Sequence, residues 1–337
     1  MASAEGRSLP DGLILRPWRD AADFETMAAI ENATREADGR EWVTDATQAR
    51  LELEMYGAVA AEAITIAELD GLPVGWGSGF CGRSEDDARW LLYCRGRVLA
   101  EHRGRGIGTA LAARAEASAL RDTERRHPAD GYGRVFESWL EDGELDSKAL
   151  LEGLGYRPAR WGHHMARSLD APIPDAPLPA GIEIRPVTED TARQVLLGFD
   201  EASRDTWEYN GIDEAQLMSS LDHPTMGQMD RWVVAWEGDT VVAGILGWID
   251  EAENAAHDRR RGYVERIWTR RPWRGRGIAG ALIARNLRDL RDAGMTDAAL
   301  AVDADNPSGA GTLYQRMGFR RTGGMVIVRR PAAAATA

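Results

Sequence analysis

The sequence predicts an α/β fold used twice in tandem. Four local patterns occur in the same order in each half of the chain, and a proline-rich stretch separates the halves. The 337 residues are also enough for two domains that each bury a core, at roughly 100–200 residues per domain. The expected division is residues 1–168, a linker over 169–181, residues 182–330, and a disordered tail over 331–337.

The first pattern is a short strand, a turn and an amphipathic helix. Leu13-Ile-Leu-Arg-Pro17 precedes DAADFETMAAI, and Ile182-Glu-Ile-Arg-Pro186 precedes TEDTARQVLLGF. Acids crowd the first helical turn, as the helix dipole favours. The second pattern is a hairpin, over 64–80 and 232–249, with Asp-Gly or Gly-Asp at the turn. The third is Arg103-Gly-Arg-Gly-Ile-Gly108 and Arg274-Gly-Arg-Gly-Ile-Ala279, each opening a long alanine-rich helix. The fourth is a short helix ending in Gly155-Tyr156 or Gly318-Phe319, followed by a last strand. The linker carries Pro172, Pro174, Pro177 and Pro179, which reads as a semi-rigid extended segment.

Composition narrows the function. The chain is 44% hydrophobic and 28% charged, with a net charge of −13. That much negative charge repels phosphate, so neither nucleic acid nor an anionic membrane is an expected partner. A cationic small molecule would be attracted. All but Lys148 of the 41 basic residues are arginine, as in a GC-rich genome. Cys81 and Cys94 are too few for a disulfide framework or a cysteine zinc cluster. No signal peptide and no apolar run of roughly 18 residues is seen, so a soluble cytoplasmic protein is expected, as monomer or homodimer. His163 and His164 are adjacent on a strand, so they point to opposite faces. No carboxylate or cysteine cluster accompanies them, and no metal is expected.

The arginine-glycine loop carries the chemistry. Val264–Thr269 reads as a strand and Arg270–Arg276 as a basic loop. From Gly277 onward Ile278, Leu282, Ile283, Leu287 and Leu290 recur at helical spacing. A glycine-rich loop at a helix N-terminus offers unpaired N–H groups at the positive end of the dipole, an arrangement that binds phosphate. Arg274 and Arg276 would add charge-assisted hydrogen bonds. Gly275-x-Gly277-x-x-Gly280, with Asp303 downstream, also fits a dinucleotide fingerprint. Three facts reject it. Arg-Arg-Pro-Trp-Arg intervenes between strand and glycines, the first copy has Thr109 in place of the third glycine, and fewer than 60 residues follow.

Arg-x-x-Gly-x-Gly/Ala between a strand and a long helix resembles the pyrophosphate loop of the GNAT N-acetyltransferase superfamily, in both copies. Asn306-Pro-Ser-Gly-Ala-Gly-Thr-Leu-Tyr314-Gln-Arg-Met-Gly318-Phe319 is similar to the C-terminal signature of that superfamily. The resemblance spans nearly the whole chain outside linker and tail. It implies a mixed, mostly antiparallel sheet with flanking helices in each domain. The implied activity is acetyl transfer from acetyl-CoA, as acyl-donor substrate, to a small-molecule amine. By the same resemblance Arg274, Gly275, Arg276, Gly277, Ile278, Ala279 and Gly280 would hold the pyrophosphate. The backbone of Ile267, Trp268 and Thr269 would pair with pantetheine, aided by Asn306. Trp268 and Trp273 would wall the channel. Glu265 would be the base, although some relatives place it two residues earlier, at Tyr263. Tyr314 would be the acid, since a phenol stays protonated at neutral pH and can donate to a thiolate.

The two copies are unequal. Arg103, Gly104, Arg105, Gly106, Ile107 and Gly108 keep the loop, and with it the implied coenzyme A contacts. Cys94 stands opposite Glu265, however, and Leu151 opposite Tyr314. The second copy is therefore expected to catalyse and the first to bind cofactor without turnover or to buttress it. The segment after the first strand of the second copy, with Asp205 and Glu208 among other acids and aromatics, would border a cationic acceptor. The competing expectation is a silent acyl-CoA sensor or interaction protein.

Overall fold

The strands of the first half begin where the patterns place them, and one of its last elements leaves for the second half. A computed structural model describes residues 9–84, 89–127, 131–207, 209, 214–306 and 309–332. The first half runs β1 (Leu13–Pro17), α1 (Ala22–Ala37), α2 (Ala46–Met55), α3 (Ala60–Ala63), β2 (Ile64–Leu69), β3 (Leu72–Ser84), β4 (Arg89–Val98), α4 (Ile107–Arg126), β5 (Gly133–Glu141), α5 (Leu145–Gly153) and β6 (Arg157–Ser168). The second runs β7 (Glu183–Arg185), α6 (Glu189–Ser203), α7 (Glu214–Ser219), β8 (Val233–Glu237), β9 (Thr240–Ile245), β10 (Trp248–Ile249), α8 (Glu251–Ala256), β11 (Arg261–Tyr263), β12 (Trp268–Thr269), α9 (Ile278–Asp292), β13 (Asp297–Asp303), α10 (Ala310–Arg316) and β14 (Arg320–Pro331).

Local chemistry explains the starts and turns. The β2–β3 hairpin closes through Asp70 and Gly71, both at positive φ, 52° and 81°, as a two-residue primed turn requires. Thr188 and Thr191 form a reciprocal capping box on α6. Asp23, in the first turn of α1, does more than meet the dipole: it is buried and holds the Arg16 guanidinium at 2.6 and 2.9 Å.

The compact units are not the sequential halves. Unit 1 takes the chain up to Arg160 together with everything from Met325 onward, and unit 2 is Trp161–Gly324. In unit 1 the strand order is β1-β2-β3-β4-β5-β14, antiparallel except for β4 and β5. Its last strand is therefore the end of the chain, Met325–Pro331, laid along β5. In unit 2, β7-β8-β9-β12 form one antiparallel sheet. β10-β11-β13 and Gly162–Ser168 of β6 form the other, parallel only between β11 and β13. Each half thus gives its last strand to the other, and the boundary expected at 168 falls inside this exchange. The expected tail starts too early: Pro331 ends β14, and the Ala332 N–H donates to Arg134 O at 3.0 Å.

Helices cover both faces of the unit 1 sheet and of the β7-β8-β9-β12 sheet of unit 2. In unit 1, Trp76, Phe80, Leu91 and Tyr93 meet α1, while Cys81, Trp90, Leu92 and Cys94 meet α4. Gly79 is needed there, because a Cβ would lie 1.7 Å from Ala115 O of α4. In unit 2, Val234 and Trp236 pack under α6, and Val233 and Ala235 under α9. The linker has no regular structure but is not loose. Leu169 is buried, and Ile173, Ala176 and Leu178 pack on the core of unit 2. Arg167 fastens it: its guanidinium donates to the carbonyls of Ala171 (2.9 Å), Pro172 (3.3 Å) and Met317. No helix among the described residues is long and apolar enough to cross a membrane.

Candidate active site

Unit 2 is organised around a broken strand. Val264–Thr269 was expected to be continuous, but only Trp268–Thr269 is strand, and Arg266 sits at φ 46°. A left-handed residue cannot continue a ladder, so β11 stays with β13 while β12 turns to β9. The break separates the two sheets of unit 2 and places Glu265 between them. The Ala301 N–H of β13 donates to Glu265 Oε1 at 2.7 Å. Burial pushes this carboxyl up from its usual 4.5 to about 7, against the opposing pull of the Ala301 N–H, His164 and Arg266. A group with that affinity can take and release a proton at neutral pH.

Tyr314 lies on α10, 7% exposed, with its ring edge-on to Phe319 at 6.3 Å. Burial raises the phenol, and the neighbouring Glu265 carboxylate raises it further, so it stays protonated. The structure thus brings Glu265 and Tyr314 into one electrostatic neighbourhood. Tyr263 is not an alternative base: its hydroxyl donates to buried Glu253, which Arg259 also holds.

The β12 backbone has a defined orientation. The Arg270 N–H is bonded to Val242 O at 3.0 Å, so by alternation Trp268 also faces β9. Ile267 and Thr269 turn their backbone groups to the opposite edge. The Trp268 ring itself is core, packed against Gly198 and Gly244, and does not wall a channel. The Trp273 indole N–H is bonded to Glu237 Oε2 at 2.8 Å. Asn306 precedes α10, and its carbonyl accepts from the Gly309 N–H at 3.2 Å.

The loop before α9 has the geometry its glycines suggest. Gly275 and Gly277 have φ of 74° and 85°, and their counterparts Gly104 and Gly106 have 72° and 84°. Side chains rarely adopt these values, and Gly277 and Gly106 stand as the residues before α9 and α4. The chain from Arg274 to Gly277 is exposed, whereas Ile278 is buried, and Ala279 and Gly280 complete the first turn.

Arg274 has a different task from the one expected. Its Nε donates to Thr269 O at 2.9 Å, one Nη to Ala202 O at 3.1 Å, and both Nη to Asp205. These bonds, ahead of those from Arg271, hold Asp205 down at about 2. Asp205 is therefore the anchor of the loop, committed to arginine, and its charge is not turned to an acceptor. Unit 1 repeats the device: Arg103 donates to Val98 O at 3.1 Å and to both oxygens of Asp38 at 2.7 and 3.0 Å. The signal was present in the sequence, since the aspartate stands 65 residues before one arginine and 69 before the other. Other acids of the same segment are also engaged, Glu201 by Arg270 and Asp200 by Tyr209. Arg276 pairs with Glu237 at 2.9 Å. Glu208 lies outside the described residues.

Unit 1 departs where chemistry would occur. Cys94 and Leu151 are buried, and β4 runs unbroken along β3 from 89 to 98. Gly96 and Val98 match Ile267 and Thr269; the Val98 carbonyl is met as that of Thr269 is by Arg274, and the Gly96 carbonyl is met as well. Arg97 Nη1 donates to Gly96 O, and Arg103 Nε to Val98 O, each at 3.1 Å. Arg97 is itself partly buried between Glu31 and Glu144, each 3.2 Å away, and Arg40 joins Glu144.

These features can be set beside known proteins. A model described as acetyltransferase (GNAT) family matches residues 27–156 and 199–319. The mycothiol acetyltransferase of Salinispora arenicola is 29% identical over 329 residues, covering 92% of this chain and 94% of that one. The protein of the same name from Nocardia farcinica is 28% identical, covering 90% and 93%. A crystal structure of a GCN5-related N-acetyltransferase from Sphaerobacter thermophilus superposes with a TM-score of 0.69 at 26% identity, covering 96% of this chain and 97% of that one. A tandem GNAT protein from the clavulanic acid pathway shares the fold, with a TM-score of 0.65 at 14% identity.

Proposed function

Given that the chain belongs to the acetyltransferase (GNAT) family and is an N-acetyltransferase, we propose that acetyl transfer takes place in unit 2, onto the primary amine of a small molecule. The carrying observation is Glu265 at the strand break, with a proton affinity near neutrality and Tyr314 beside it. The donor of the family is acetyl-CoA. Its pyrophosphate would lie on the Gly275–Gly280 backbone at the α9 N-terminus, where the dipole favours anions. Its pantetheine would run along the outer edge of Ile267 and Thr269.

Glu265 accepts the proton of the ammonium form of the acceptor, directly or through water. The amine nitrogen then bonds to the thioester carbonyl carbon. As that tetrahedral centre collapses, the carbon–sulfur bond breaks, Tyr314 protonates the departing thiolate, and the extra proton on the nitrogen returns to the tyrosinate, leaving the neutral amide. Unit 1 takes no part in turnover in this proposal, since both matching positions lack a titrating group suited to it. Nor, in this proposal, does it hold acetyl-CoA, because Arg97 already satisfies the Gly96 carbonyl on the edge that pantetheine would need. The relatives named mycothiol acetyltransferase support an acceptor of the mycothiol type over a polyamine or a protein N-terminus.

The test is thiol release from acetyl-CoA over a panel of amino sugars, cysteinyl amines, aminoglycosides and polyamines. Turnover is expected with at least one cysteinyl or amino-sugar amine. Tyr314→Phe should lower kcat about 100-fold while leaving the Kd for acetyl-CoA unchanged. Binding of acetyl-CoA without turnover over the whole panel would favour the sensor reading instead.

A further inference from the structure

The histidine pair belongs by sequence to the first half, yet the strand exchange carries it into unit 2. His163 and His164 lie on β6, opposite Val302 and Ala301 of β13. Val302 faces the core with Leu300, so Ala301 and His164 share the other face of the sheet. The Ala301 N–H points away from β6, to Glu265. The Ala301–His164 pair is therefore of the non-hydrogen-bonded kind, with Cα atoms about 4.5 Å apart and side chains close.

Glu265 and His164 consequently flank a single exposed methyl group, that of Ala301. The floor around it is small as well, with Ala299 along β13 and Gly162 and Ala166 along β6. The residues around Ala301 on this face are thus small, and Glu265 and His164 stand on either side of it. The β6 backbone is fixed there by Thr322, whose hydroxyl donates to His164 O at 3.3 Å.

We infer that His164 is a positioning residue for Glu265, holding its proton balance from across Ala301 while the acceptor amine sits between them. This rests on the assignment of Glu265 as the base of unit 2. The groups that face Glu265 are the Ala301 N–H, His164 and Arg266, with Tyr314 from α10. Of these, His164 acts on the Glu265 carboxyl through its charge, which lowers it. Its positive form favours ionised Glu265, so its loss should make the carboxyl harder to ionise. His163, on the opposite face of the same strand, should have no such effect.

The test compares His164→Gln with His163→Gln. An infrared difference titration, with Glu265→Gln as the blank, reads the Glu265 carboxyl without any acceptor. For His164→Gln the carboxyl should titrate about half a unit higher or more. In the pH profile of kcat/KM for the best amine of the panel, the acidic limb should move the same way. KM for the amine should rise several-fold and KM for acetyl-CoA should stay. His163→Gln should leave all four unchanged. An unmoved Glu265 titration in His164→Gln, or equal shifts in both variants, would overturn the inference. If no amine on the panel is acetylated, the assignment of the base fails on that assay, while the infrared titration still decides the coupling between the two residues.

Discussion

Glu265→Gln is expected to lower kcat on the order of 10³-fold while acetyl-CoA binds as before. Glutamine keeps the shape and can still accept from the Ala301 N–H, but it cannot take a proton. In the wild type, kcat/KM should rise tenfold per pH unit up to an inflection at about 7, because Glu265 must be ionised. The variant should lose that inflection. Stability separates this from simple damage. The carboxyl binds its proton more tightly folded than unfolded, so the wild-type fold gives up stability as pH rises from about 4.5 through about 7. Glutamine has no such loss. Thermal melts should therefore show the variant no less stable than wild type at pH 8. A variant that melts lower at pH 8 and retains an inflection at 7 would remove Glu265 from the role of base.

The second large effect concerns the exchanged strands. A chain starting at Ile182, the expected boundary of the second domain, should yield no folded or active enzyme. It would lack Gly162–Ser168, which pairs with the whole of β13, and Arg167, whose guanidinium ties the linker carbonyls to the end of α10. It would also lack the buried Leu169. Its own Met325–Pro331 would have no β5 to lie against. An unpaired central strand exposes a row of backbone donors and acceptors, and such edges aggregate. Co-expression with residues 1–181 should restore activity, because both fragments together hold every strand. A well-folded, active fragment from 182 onward would show that the exchange is dispensable.

Much of this architecture was legible in the residues themselves. The arginine-glycine loops were, because two glycines at positive φ before a helix have few substitutes and both copies keep them. The hairpin at Asp70-Gly71 was legible for the same reason. The exchange was not. β6 and β14 are interchangeable as patterns, and which neighbour each chooses depends on tertiary packing. The break at Arg266 was also hidden, since nothing in Val-Glu-Arg-Ile demands a left-handed residue. Its consequence, the position of Glu265, is implied in the sequence only by the family resemblance. Asp205 misled because an acid in the right segment looks like a partner for a cation. The structure shows that the cation is Arg274. Likewise the adjacent His163 and His164 show no neighbour of His164 in the sequence, because Ala301, opposite it, lies on a strand more than 130 residues away.

The central claim is that one loop of the two serves acetyl-CoA. Calorimetric titration of acetyl-CoA into the wild type and into Gly106→Glu and Gly277→Glu tests it most directly. Each glutamate would put bulk, strain at positive φ and like charge where a pyrophosphate must sit. The account predicts one site per chain, kept in Gly106→Glu and lost in Gly277→Glu. Two sites in the wild type, or binding that disappears with Gly106→Glu and survives Gly277→Glu, would contradict it.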